Sequence, residues 1–304
     1  MELFQETVAN WEDWGRVYQS ILAFTPLAKE IVARERLPFA PLEPLTPGTN
    51  AVFRSGPYVL KIYAPAESGL DASADCRVET AVGAYLSQAG LPCAAFVAQG
   101  EIADKYRFSY LISSYAEGQE AGSVLPAFPV SRKKEFACRL CGVLKRLNRP
   151  CGDLIPPINL LERAVENPRL GGLPVSLRES LCERARRLDL SHPVLVHGDL
   201  TGENVLLSPD GGLMLIDFGD CCLAPAWYEL APIVFELFRC DPVLLLEFRS
   251  CYGEAEFVER VLDSLCLHDF GASILQDFAQ RENLPLEAFS TLERVGRWLQ
   301  NRLS

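Results

Sequence analysis

His197-Gly198-Asp199-Leu200-Thr201-Gly202-Glu203-Asn204, followed downstream by Ile216-Asp217-Phe218-Gly219-Asp220, decides how this 304-residue chain reads. Asn204 stands five residues after Asp199, and Asp217 thirteen after Asn204. Two carboxylates and a carboxamide at fixed spacing suit phosphoryl transfer. One carboxylate orients the attacking hydroxyl, while the amide oxygen and second carboxylate hold magnesium ions. The flanks agree. Val194–Val196, Val205–Leu207 and Leu213–Ile216 are short apolar runs that read as buried strands. Pro209-Asp210-Gly211-Gly212 between the last two reads as a hairpin turn. A polar loop held between buried strands is pre-set for chemistry.

Working outward, residues 45–62 read as paired strands. Pro47-Gly48-Thr49-Asn50 forms the first turn, Ala51–Arg54 a strand, and Tyr58–Tyr63 the next. Small residues in that first turn would let backbone N–H groups approach phosphates. Lys61 sits in an otherwise apolar strand, where a lysine either snorkels outward or faces a cleft with a partner. Glu79, on a predicted helix over 75–86 whose apolar face is Val78, Val82, Tyr85 and Leu86, is its candidate partner. Phe108–Ser113 reads as a further strand, leaving through Ser114-Tyr115-Ala116-Glu117-Gly118. From 131 onward the pattern is mostly helical, with Ser131 as a cap and helices over about 161–168, 176–188, 226–238 and 242–251. Before residue 45, Trp11, Trp14, Tyr18, Ile21 and Leu22 fall at helical spacing as one buried face, and Leu37–Pro44 is a proline-rich connector.

Composition narrows the class. Hydrophobic residues make up 49% and charged residues 23%, which are globular values. No run is long and apolar enough for a transmembrane helix, and the acidic start Met1–Glu6 does not read as a secretory leader. The expectation is a cytoplasmic protein. A net charge of −11 disfavours nucleic acid and anionic membranes as partners and tolerates a cationic small molecule. Eleven cysteines then read as reduced thiols. Cys138-x-x-Cys141 has metal-ligand spacing, but no second such pair accompanies it and it lies in a helical pattern, so it is not taken as a zinc site. Cys221-Cys222 is assigned to packing. Nothing in the sequence sets the oligomeric state.

The residues quoted so far resemble the aminoglycoside phosphotransferase-like (choline kinase-like) family of small-molecule kinases over about residues 45–240. The motifs that carry the resemblance are Val-Leu-Lys-Ile, Tyr-Leu-Ile-Ser-Ser-Tyr-Ala-Glu-Gly, His-Gly-Asp-Leu-x-x-x-Asn-Val-Leu and Ile-Asp-Phe-Gly-Asp. The resemblance implies an α+β, bilobal protein-kinase-like fold: a helical extension over 1–44, a small β-rich lobe over 45–116, and a larger helical lobe over 117–304. It implies Asp199 as the catalytic aspartate, Asn204 and Asp217 as magnesium ligands, and Lys61 with Glu79 as the phosphate-positioning pair. Gly48, Thr49 and Asn50 match the phosphate loop loosely. Ser114 and Ala116 match the hinge that presents backbone groups to adenine, and Ser113 would line the back of the base pocket with a small side chain. ATP, with GTP as the alternative, and Mg²⁺ are the implied cofactors, and a hydroxyl of a small molecule is the implied acceptor. Gly198 stands where many protein kinases use an arginine to hold a phosphorylated loop. Ten residues between Asp217 and Tyr228 are few for a switchable segment. Acidic residues after the magnesium loop (Asp220, Glu229, Glu236, Asp241) either receive a cationic acceptor or cap and solvate helices. The competing readings are a nucleotide-binding pseudokinase acting as a scaffold and a kinase acting on a macromolecule.

Overall fold

Lys61 is carried by a five-stranded antiparallel sheet. The computed structural model describes residues 2–70, 72–253 and 256–303. The chain divides into two units: Met1–Glu117 with Ile216–Asp220, and Gly118–Leu215 with Cys221–Ser304.

The first unit opens with helices α1 (Trp11–Val17) and α2 (Ile21–Arg34). Strands β1 (Leu42–Pro44), β2 (Ala51–Ser55) and β3 (Tyr58–Ile62) follow, then α3 (Ala72–Gln88) and the hairpin β4 (Phe96–Ala103) and β5 (Arg107–Ser114). The sheet order is β1-β2-β3-β5-β4, with α3 against β4 and β5. In register, Lys61 lies between Val52 and Leu111. The α1–α2 segment packs into the same core as the sheet. Phe24 stands 5.8 Å from Trp14 and 5.6 Å from Phe53, centroid to centroid, and Phe4 stands 5.2 Å from Phe108. Such ring pairs add about 0.5–1.5 kcal/mol each beyond their burial.

The expected single aromatic face breaks in two. Ser20 accepts a hydrogen bond from the Ala23 N–H and starts a new helix, which resets the helical phase. Trp14 is fully buried, but Trp11 is 45% and Leu22 87% exposed. The proline-rich connector also does more than connect: its last three residues form edge strand β1 against β2, and Pro44 is tolerated at an edge.

The second unit begins with β6 (Gln119–Glu120), α4 (Ala121–Val124), α5 (Val130–Leu147), α6 (Leu160–Val165) and α7 (Val175–Ala185). Short strands follow: β7 (Val194–Val196), β8 (Val205–Leu207), β9 (Leu213–Leu215) and β10 (Cys222–Ala224). β8 pairs with β9 and β6, and β7 with β10. Helices α8 (Pro242–Tyr252), α9 (Phe257–Leu267), α10 (Gly271–Arg281) and α11 (Leu292–Arg302) complete it, and α9 packs against α7, α10 and α11. Ser131 does not cap α5; that helix starts at Val130 behind Pro129, whose fixed φ suits a helix entry. The helix expected over 226–238 is a 3₁₀ turn (Ala226–Glu229) and a π-helical turn (Pro232–Leu237), because Pro232 supplies no N–H to continue the ladder. Cys221 and Cys222 are buried, as packing residues should be.

Candidate active site

In the first unit, Lys61 and Glu79 come together as their sequence context suggested. The Lys61 ammonium donates to Glu79 Oε2 at 2.7 Å and to Asp217 Oδ1 at 2.8 Å. The Lys61 and Glu79 side chains are each only 9% exposed, whereas Asp217 is 42% exposed. Burial works against the Lys61 charge, but Asp217 and Glu79 more than offset it and hold the ammonium above its ordinary range. Burial raises the Glu79 carboxyl, with Lys61 opposing. Tyr63, two residues along β3's direction and so on the same face, donates its hydroxyl to Glu79 Oε2 at 2.5 Å. Glu79 thus spends one oxygen on two donors. Tyr63 was not singled out from sequence, although the i, i+2 relation to Lys61 was there to read.

Asp217 adopts φ +62°, a left-handed conformation uncommon for a residue other than glycine. In this conformation its Oδ1 meets the Lys61 ammonium.

The three residues matched to a phosphate loop divide by what they touch. Asn50 turns inward, and its Oδ1 accepts from the Ala64 N–H at 3.1 Å. Trp14 Nε1 donates to the Thr49 carbonyl at 2.8 Å, fixing the turn from α1. The space where a Cβ on Gly48 would point is open to at least 4 Å. At the strand exit, Ser113 ends in register with Val59 and Phe96. Ser114 is committed to Ala95: its N–H donates to the Ala95 carbonyl at 2.8 Å, and its hydroxyl accepts the Ala95 N–H at 2.9 Å. The Tyr115 N–H goes to the Pro57 carbonyl at 2.7 Å. The Ala116 N–H makes no hydrogen bond among the described residues.

In the second unit, the loop between β7 and β8 carries Asp199 and Asn204. Asn204 Nδ2 donates to the Asp199 carbonyl at 2.8 Å and to its Oδ2 at 2.7 Å. One amide therefore fixes both the backbone and the carboxylate of Asp199 through its Nδ2, so Oδ1 is the atom with which Asn204 could hold a cation. His197 is fully buried, and its Nδ1 accepts from the Asp199 N–H at 3.3 Å, a structural duty. Gly198 takes φ +82°, which a side chain would strain. Gly202 lies against Gly122 on α4, where the Gly122 N–H donates to the Gly202 carbonyl at 2.9 Å; a Cβ on Gly202 would stand 2.6 Å from Gly122 Cα.

Glu229 is the residue whose role the sequence did not disclose. It is buried and accepts the backbone N–H of His197 at 2.5 Å and of Gly198 at 3.4 Å, with Asn148 Nδ2 at 3.5 Å. Burial pushes its carboxyl up to about 7, with these donors opposing. Two of the other acids considered as a cation receptor are also engaged. Asp241 caps α8 and pairs with Lys133 at 2.6 Å, and Glu236 pairs with Arg281 at 3.5 Å. Glu229, Glu236 and Asp241 therefore each make a bracing contact within the fold.

A sequence model described as the phosphotransferase enzyme family (APH) matches residues 43–263. The chain belongs to the APH phosphotransferase family. The fold agrees with solved members of the same architecture. The GDP and kanamycin complex of an aminoglycoside 2″-phosphotransferase superposes with a TM-score of 0.66 at 17% identity, covering 91% of this chain and 98% of that one. The GDP complex of wild-type aminoglycoside 2′-phosphotransferase-IIIa gives 0.62 at 19%, covering 90% and 98%. Choline kinase LicA from Streptococcus pneumoniae gives 0.59 at 17%, covering 91% and 97%. No curated protein matches the chain. The α+β kinase-like fold expected from the motifs is thus present, and the chain is a phosphotransferase-family protein of that architecture. No helix among the described residues is long and apolar enough to cross a membrane.

Proposed function

We propose that this APH-family protein moves the γ-phosphoryl group of ATP, or alternatively GTP, to a hydroxyl of a small molecule in the cytoplasm, with Mg²⁺ as cofactor. The observation that carries the reading is the buried Lys61 ammonium held by two carboxylates of different elements, Glu79 and Asp217. A lysine so placed is a fixed positive charge for phosphate oxygens. Structural neighbours solved with GDP or AMP support a nucleotide in this fold.

The donor chemistry fits magnesium. Asp217 and Asn204 offer a carboxylate and an amide oxygen, hard ligands of the kind Mg²⁺ selects. When bound, the ion supplies charge stabilisation for the transferring group. The chain's own residues do the remainder. Glu79, braced by Tyr63, holds Lys61 extended so that its ammonium meets phosphate oxygens. Asp199, locked by Asn204, orients the acceptor hydroxyl and takes its proton at a carboxylate oxygen as the new phosphorus–oxygen bond forms and the bond to the β,γ-bridging oxygen breaks, the nucleoside diphosphate leaving with that oxygen. The Ala116 N–H is available to the nucleotide base, and backbone N–H groups of residues 48–50 to its phosphates. Gly198 offers no side chain for a regulatory phosphate, which supports a site that needs no phosphorylation switch. A net charge of −11 favours neutral or cationic acceptors over anionic ones.

The test is a screen of amines, amino alcohols, sugars and aminoglycosides with ATP or GTP and Mg²⁺, read by thermal shift and by products carrying one added phosphoryl group. Phosphorylation of one class, dependent on Mg²⁺, is the expected result. Binding of neither nucleotide would overturn the reading, and nucleotide binding with no turnover on any acceptor would move it to a scaffold role.

A further inference from the structure

The Cys-x-x-Cys pair of α5 does not work as a pair: Cys141 faces the core, while Cys138 points outward to α8. There it meets two residues four apart, and so on one helix face, Glu247 and Cys251. One ligand atom from each of Cys138, Glu247 and Cys251 lies within 4.8 Å of the other two. We propose that these three side chains, two thiolates and a carboxylate bridging α5 and α8, bind a thiophilic divalent cation of the zinc class.

Geometry supports this first. Tetrahedral zinc, with Zn–S about 2.3 Å and Zn–O about 2.0–2.2 Å, places a sulfur and an oxygen ligand roughly 3.5–3.7 Å apart and two sulfurs roughly 3.8 Å apart. Cys138 Sγ stands 3.4 Å from Glu247 Oε1. Side-chain adjustment of about an ångström or less therefore closes all three ligands around one ion, leaving a fourth position for water.

The helices are also held in register along this seam. Lys133 pairs with Asp241 at 2.6 Å beyond one end, and Lys145 Nζ donates to the Cys251 carbonyl at 2.7 Å beyond the other. Neither backbone needs to move for the ligands to meet, so the site is pre-organised. The charge balance is suitable. Binding releases two thiol protons, so two thiolates, one carboxylate and the dication sum to −1. Lys134, 3.4 Å from Glu247 Oε2, offsets that remainder. Two sulfur ligands favour zinc-class ions over magnesium or calcium, which take oxygen. The bound cation would clamp α5 to α8, outside the residues assigned to phosphoryl transfer.

The test uses the full-length, thiol-reduced protein titrated with zinc chloride or cobalt(II) chloride. One equivalent binds, and cobalt gives sulfur-to-metal charge-transfer absorption. Cys138→Ser and Cys251→Ser each abolish that absorption, and Glu247→Gln weakens binding. A Cys93→Ser/Cys151→Ser/Cys182→Ser variant retains it. Circular dichroism confirms that each variant is folded. The proposal is overturned if the reduced protein binds neither ion stoichiometrically, or if binding survives in folded Cys138→Ser and Cys251→Ser. It is likewise overturned if Cys138 and Cys251 form a disulfide in air while the reduced protein takes up no metal.

Discussion

Replacing Lys61 with methionine removes the cation beside Glu79 while keeping a side chain of similar length. Glu79 is then buried with the Tyr63 hydroxyl as its remaining side-chain donor. Removing one partner of a buried pair costs about 3–5 kcal/mol, mostly the uncompensated charge left behind. The Asp217 contact adds little to that figure, because its side chain is 42% exposed and water screens it. Glu79 can escape by taking a proton. Its folded-state pKa, already raised, rises further without Lys61. The penalty in the variant is therefore smallest in acid and grows as pH rises through that raised value. A chain of two units need not unfold in one transition, so hydrogen exchange of α3 peptides, measured at about pH 5 and about pH 7, is the suitable assay. Exchange should accelerate far more at the higher pH. Lys61→Met/Glu79→Gln, which leaves no buried charge, should recover most of the protection while staying inactive. Equal exchange in Lys61→Met and wild type at both pH values, or no recovery in the double variant, would refute the account of this triad.

Glu229→Gln places an amide N–H₂ against the backbone N–H groups of His197 and Gly198, so one donor loses its acceptor at about 1–3 kcal/mol. The catalytic loop shifts, and kcat falls about 100-fold with nucleotide affinity retained, as equilibrium binding and steady-state kinetics would show. Because the folded Glu229 carboxyl titrates at about 7 against an ordinary 4.5, its contribution to stability is full below pH 4.5 and is lost as pH rises to 7. The loss amounts to about 3 kcal/mol, and hydrogen-exchange protection of peptides around His197, compared with wild type across that range, should find it absent from the variant. Trp14→Phe keeps the ring packing but removes the indole N–H from the Thr49 carbonyl, at about 1 kcal/mol. Nucleotide affinity measured by calorimetry should weaken several-fold, with kcat at saturation nearly unchanged.

How much of this could be read from the chain depends on the range of the interaction. The strands around Asp199 were legible because their apolar runs are bounded by turn residues such as Gly211, whose φ is +81°. Lys61 and Glu79 were legible because a charge inside an apolar strand needs a partner. Strand β4 was missed: Phe96–Ala103 is largely exposed, includes Gly100, and exists through pairing with β5. Propensity does not report such pairing. The aromatic face of residues 11–22 failed because a single capping serine reset the helical phase. Trp14 and Glu229 act on Thr49 and His197 across 35 and 32 residues. Nothing local marks either as a brace, so only the folded chain reveals them.

Asp199→Asn, assayed against wild type for phosphoryl transfer and for nucleotide binding, tests the central claim most directly. The amide keeps the size of the side chain but cannot take the acceptor's proton. The account predicts a fall in kcat of about 10²–10⁴-fold with nucleotide affinity within about twofold of wild type. Turnover near the wild-type rate would contradict it.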